Sequence, residues 1–135
     1  MIRYGLNSIK HCVWFLNFDF MKAFIAILFF SFLISLYLPW WTLIIPAFIF
    51  GIWMLERGFQ AFFIGFAAAG FAWFFHAAVI HFLNDAILST RIAEMMGAGS
   101  PWVILLITFL TGGILGGLGA LTGMLLKLNL KPAGT

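Results

Sequence analysis

Three long stretches of the chain carry no charged side chain: Ala23 to Leu55, Gly58 to Leu83, and Trp102 to Leu126. One membrane crossing needs about 20 apolar residues, so 23–55 is too long for a single helix. Its middle holds Leu38-Pro39-Trp40-Trp41, a turn bounded by aromatic rings that suit a membrane–water boundary. The pattern therefore predicts four transmembrane helices over about 23–38, 42–55, 59–82 and 102–126. The fold class is an all-α polytopic membrane protein arranged as two hairpins. The second span is short, and its Pro46 reads as a first-turn proline, where no backbone N–H is required.

Two flanking stretches have a different rhythm. In residues 1–22, Ile2, Leu6, Ile9, Val13, Leu16 and Phe20 step alternately by four and three, which is one face of a helix. Arg3, Lys10, His11, Asp19 and Lys22 interrupt that run, so the segment reads as a helix near 1–20 lying at the membrane surface. Met21-Lys22 directly before an apolar run also has the look of a chain start, which would make 1–20 an extension. Between the last two spans, Ile87, Leu88, Ile92, Met95 and Met96 share a helical face, with Ser89, Thr90, Arg91 and Glu94 largely opposite. A second interfacial helix is expected over 85–96, stopped by Gly97-Ala98-Gly99-Ser100-Pro101. Residues 128–135 form a tail.

The last span contains Gly112, Gly113, Gly116, Gly117, Gly119 and Gly123, with Ala120 among them. In water each glycine costs a helix roughly 1 kcal/mol relative to alanine. In a bilayer the backbone must satisfy its own hydrogen bonds, so the helix is enforced and the glycines become a groove for another helix. Gly65 and Ala69 of the third span supply the matching small-residue stripe. The glycines occupy several faces, so one intramolecular partner is expected to leave some for a second chain.

Composition agrees with this reading: 64% of residues are hydrophobic, 8% are charged, and mean hydropathy is +1.14. A soluble domain carries about 25% charged residues. The net charge of +3 comes from scattered residues and gives no nucleic-acid patch. Arg3, Lys10, Lys22, Arg57, Lys127 and Lys131 fall on one side of a four-span layout and Arg91 alone on the other. The positive-inside tendency then predicts cytoplasmic N- and C-termini. Trp40, Trp41 and Trp102 are the expected interface anchors. The single cysteine, Cys12, excludes an intramolecular disulfide.

Candidate chemistry is confined to His76, His81, Asn84, Asp85, Arg91 and Glu94. His81 and Asp85 share a face if the helix continues through both. His76 and His81 are about 140° apart on a helix, so they do not converge on a metal. His76 lies deep enough to require a partner, and Thr108 or Thr111 of the last span is positioned to supply one. The sequence carries no nucleophile elbow, phosphate loop or paired-cysteine motif, and no acid within a span. No metal or cofactor is expected; an enzyme that uses His81, Asp85 and Glu94 at the membrane surface is the third and least favoured reading.

The order Leu38-Pro39-Trp40-Trp41, Gly58-Phe59, Ala61-Phe62-Phe63-Ile64-Gly65-Phe66, His81, Asn84-Asp85, Ile87-Leu88-Ser89-Thr90-Arg91-Ile92-Ala93 and a glycine-rich final span resembles small four-helix membrane proteins of Bacteroidota-type bacteria. The resemblance covers residues 21–127 and implies a bacterial inner-membrane location, with no activity and no site residue. The expected role is a structural or interaction subunit that packs on itself or on other membrane proteins through its glycine and alanine faces. The alternative is a small transporter or channel with a His/Asp vestibule.

Overall fold

The computed structural model describes residues 2–130, with side chains from Phe20 onward except Trp40. Every regular element among them is helical: α1 (Ile2–Tyr37), a 3₁₀ turn (Trp40–Leu43), α2 (Ile44–Met54), α3 (Gly58–Leu83), α4 (Ile87–Met95) and α5 (Pro101–Leu130). Three segments are long and apolar enough to cross a bilayer, namely Phe20–Tyr37, Gly58–Leu83 and Pro101–Leu130. The remaining apolar helix, Trp41–Met54, is shorter.

Two boundaries differ from the expectation. The N-terminal segment is not a separate interfacial helix, because α1 is continuous from Ile2 to Tyr37. No proline interrupts it, and Gly5 alone is too weak a breaker to end it. The predicted amphipathic face of residues 1–19 lies outside the described side chains. At the other end α5 continues to Leu130, so helix occupies the start of the expected tail at 128. Lys131 and the rest of the tail lie outside the described residues.

Contacts between helices fix their directions. Phe20 shares a cavity with Gln60 and Ile64, while the Phe32 ring lies 6.2 Å from that of His76. Thus α1 and α3 run parallel, and the intervening 3₁₀ turn and α2 return along the height of the bundle. Pro46 occupies the first turn of α2 and is buried. The α5 helix runs antiparallel to α3 and parallel to α2, lying between them.

The shared core is built largely from small side chains. Ala23, Ala47, Ala61, Ala68 and Ala120 are fully buried, with Ile27, Ile64 and Met124 filling the space between them. Ile25 and Phe29 of α1 and Leu106, Leu110, Ile114 and Leu118 of α5 face outward. In α5 this bulky stripe lies opposite the glycines. Bulky apolar residues outside and small ones inside is the arrangement that a lipid solvent favours, since association there depends on close packing rather than on apolar burial from water.

All six glycines between 112 and 123 meet other helices of the same chain. A methyl on Gly116 would strike Ala69 Cβ and lie 2.6 Å from the Gly65 carbonyl oxygen, and Gly65 meets the Gly116 carbonyl in return. Gly112, Gly113 and Gly117 lie under the side chains of Trp73, Phe66 and Phe62 of α3. Gly119 and Gly123 face α2, at Ile44, Ala47 and Phe48. Ala120 lies in the core, its carbonyl beneath Gly51. The glycines that α3 leaves free, Gly119 and Gly123, are taken up by α2, a second intramolecular partner in place of the expected second chain.

Candidate functional site

Polar side chains gather at the α4 end of the bundle, around two adjoining cavities. The first, about 290 Å³, lies between α1, α3 and α5 and is lined by Ser35, Trp73, His76, Ala77, Ile80 and Thr108. The second, about 180 Å³, lies between α3, α4 and α5. It shares Ala77, Ile80 and Thr108 with the first and adds His81, Asn84, Leu88, Ser89, Ile92, Ile104 and Leu105. Most of both walls is apolar, with a few polar atoms at defined positions, which is the usual make-up of small-molecule sites.

His76 is half-buried and packs edge-on against Phe32. Thr108 lines the same cavity, yet it does not bond His76. Its hydroxyl donates to the Ile104 carbonyl at 2.9 Å, and Thr111 donates to Ile107 at 2.8 Å. Such backbonding within a helix is the local alternative available to serine and threonine in apolar surroundings. Ser35 does the same, donating to the Ser31 carbonyl at 2.7 Å. The protons of Ser35 and Thr108 are thus committed to their own helices, while their oxygens keep lone pairs. The imidazole of His76 makes no hydrogen bond within the described residues. One turn from Ser35, the Ser31 hydroxyl is fully buried and also has no hydrogen-bond partner.

His81 is buried and bonded. Its Nδ1 lies 2.5 Å from Ser89 Oγ, and Ser89 donates to the Ala86 carbonyl at 3.2 Å. One hydroxyl thus links the imidazole of α3 to the backbone at the start of α4. The Trp102 ring lies 5.5 Å from the imidazole and covers it.

This pairing depends on how α3 ends. Asn84 caps the helix, Ala86 N–H reaches back to the His81 carbonyl at 2.8 Å, and Asp85 and Ala86 take left-handed φ values of 45° and 60°. The reversal aims the first turn of α4 at the last turn of α3. Because the helix stops at Leu83, His81 and Asp85 do not share a face. Asp85, Arg91 and Glu94 are exposed, line neither cavity and form no ion pair among the described residues.

Ser89, expected on the solvent side of its helix, is buried together with Ala93, four residues on. These small residues let α4 lie close to the bundle, while Ile87, Met95 and Met96 point outward and Leu88 is exposed at the edge of the second cavity. Of the expected anchors, Trp41 and Trp102 are exposed, and the Trp40 side chain lies outside the described residues. Among the described residues no group of three or more metal-ligating side chains converges.

Comparison of the chain with protein families, with curated proteins and with solved structures found no match.

Proposed function

We propose that the chain is a small four-crossing protein of a bacterial cytoplasmic membrane that receives a small solute in the paired cavities at its α4 end, as a transporter does. The observation that carries this reading is His76, an imidazole with no hydrogen-bond partner among the described residues, in a cavity shared with the lone pairs of Ser35 and Thr108. A polar group left unpaired at membrane depth is expensive unless something else pairs with it.

The fourth crossing is α2 with its preceding 3₁₀ turn. Four residues at about 2 Å and eleven at about 1.5 Å give roughly 25 Å, a little less than the hydrocarbon thickness. The parallel course of α1 and α3 supports a return crossing between them. The Lys and Arg tally then puts both termini in the cytoplasm and the paired cavities on the outer side.

The solute that suits the lining is small and carries N–H or O–H donors for the two hydroxyl oxygens. Toward the inner side, Ala23, Ile27, Ile64, Ala68, Ala120 and Met124 form a closed core. That favours a site reached from outside over an open pore. The role of a subunit that docks through the glycine run has less support, because α2 and α3 already occupy those glycines.

The test is uptake of labelled methylammonium, glycerol and urea into proteoliposomes. At least one should enter faster than into empty liposomes, and His76→Ala should abolish the difference. Silence with all three, or a His76→Ala protein as active as the original, overturns the reading.

A further inference from the structure

A separate cavity lies at the opposite end of the bundle. It measures about 340 Å³ and is lined by Phe20, two residues before the Lys22 that precedes the uncharged stretch of α1, by Leu55 and Glu56 of the loop that joins α2 to α3, and by Lys127, which closes the uncharged stretch of α5. Three limits of apolar chain, at Lys22, at Glu56-Arg57 and at Lys127, fall near one level, so its depth is that of a membrane–water interface.

Two kinds of wall face each other. Phe20, Trp53 and Ile64 form an apolar side, and the Phe20 and Trp53 rings are exposed. Lys127 and Glu56 supply one charge of each sign. Their contact is slack: Lys127 Nζ lies 4.0 Å from Glu56 Oε1 and 3.4 Å from the Leu55 carbonyl oxygen. A well-formed ammonium–carboxylate bond is about 2.7–2.9 Å. Lys127 is 22% exposed and Glu56 77% exposed, so this pair adds little to stability and is readily rearranged.

A cation and an anion held apart beside an apolar wall at an interface match a group that carries both charges and an attached chain. We propose that this cavity seats the headgroup of a phosphatidylethanolamine. The phosphate accepts from Lys127 Nζ, and the primary ammonium donates to the Glu56 carboxylate. The acyl chains follow Trp53 and Phe20 into the bilayer. Glu56 discriminates against phosphatidylglycerol, which would bring a second negative charge and no cation. It also discriminates against phosphatidylcholine, whose quaternary ammonium has no N–H to donate. The apolar wall selects the lipid over free phosphoethanolamine. This site is independent of the solute reading at the other end.

Native mass spectrometry of the full-length protein, equilibrated with equal amounts of the three phospholipids, tests the assignment. One phosphatidylethanolamine should be retained in preference to the other two, and millimolar phosphoethanolamine should not displace it. Glu56→Gln should lower that preference about threefold, and Lys127→Gln should lower retention by a similar factor. Equal retention of phosphatidylglycerol, unchanged preference in Glu56→Gln, or displacement by soluble phosphoethanolamine overturns the proposal. Glu56 is exposed, so its variant decides the matter even if Lys127→Gln does not fold.

Discussion

The carbonyl oxygens of Gly65 in α3 and Gly116 in α5 each lie where a side-chain methyl on the other residue would sit. The two backbones touch there, and neither can yield as a flexible side chain would. Gly116→Ala should therefore destabilise the protein by about 1–3 kcal/mol through overpacking. Gly97 provides the contrast. Its φ is +66° with open space around it, so Gly97→Ala meets backbone strain alone, about 1–2 kcal/mol. Denaturant titration in mild detergent measures both. A packing role further predicts that Gly116→Leu is much worse than Gly116→Ala, whereas Gly97→Leu resembles Gly97→Ala.

Ser31 gives a prediction of opposite sign. Its hydroxyl is buried without a hydrogen-bond partner among the described residues, a state worth roughly 1–3 kcal/mol of destabilisation. Ser31→Ala removes the oxygen and should raise the unfolding free energy by about 1 kcal/mol once the small loss of packing is included. Ser35→Ala should be close to neutral, since the bond removed there is a backbond within one helix. A Ser31→Ala protein less stable than the original would show that the hydroxyl has a partner in the membrane.

His81 and Ser89 should be energetically coupled. Removing the serine oxygen leaves a buried Nδ1 without a partner, at about 1–3 kcal/mol. Once His81 is replaced by phenylalanine, Ser89→Ala should matter much less. A double-mutant cycle on unfolding free energy should give a coupling of about 0.5–1.5 kcal/mol. Additive effects would show that the contact contributes nothing.

What the sequence revealed and what it concealed follow from distance along the chain. Uninterrupted apolar runs mark α1, α3 and α5, because the bilayer acts on each residue separately. The stripe of Gly65 and Ala69 pointed to α5 because small residues four apart fall on one helical face. Ala47 and Gly51 carry the same spacing, and they supply the α2 surface that meets Ala120 and Gly119. That spacing sits in a helix of only 11 residues that carries Pro46 in its first turn, so it marks a much shorter stripe than the one in α3. The His81–Ser89 pair had no comparable trace. It exists because Asp85 and Ala86 enter the left-handed region, and no glycine marks that reversal. Asp85 would stand beside His81 only if the helix ran on through both, and it ends at Leu83. The N-terminal charges limit the uncharged run of α1 without ending its helix, since charge bars a residue from the bilayer core and leaves helix formation open.

Orientation is open to direct chemical test. In a Cys12→Ser background, a cysteine replacing Asn84 should react with a membrane-impermeant maleimide added outside intact cells, because Asn84 is exposed at the rim of the α4-end cavity. A cysteine replacing the exposed Glu56 should react only after the membrane is opened. The two positions lie at opposite ends of α3, a 26-residue helix about 39 Å long, so one bilayer separates them. The reverse pattern would invert the topology and put the paired cavities in the cytoplasm. Labelling of both from outside would mean that α3 does not cross. Blocking of the Asn84 position by a solute that also enters proteoliposomes would tie the topology to the proposed site.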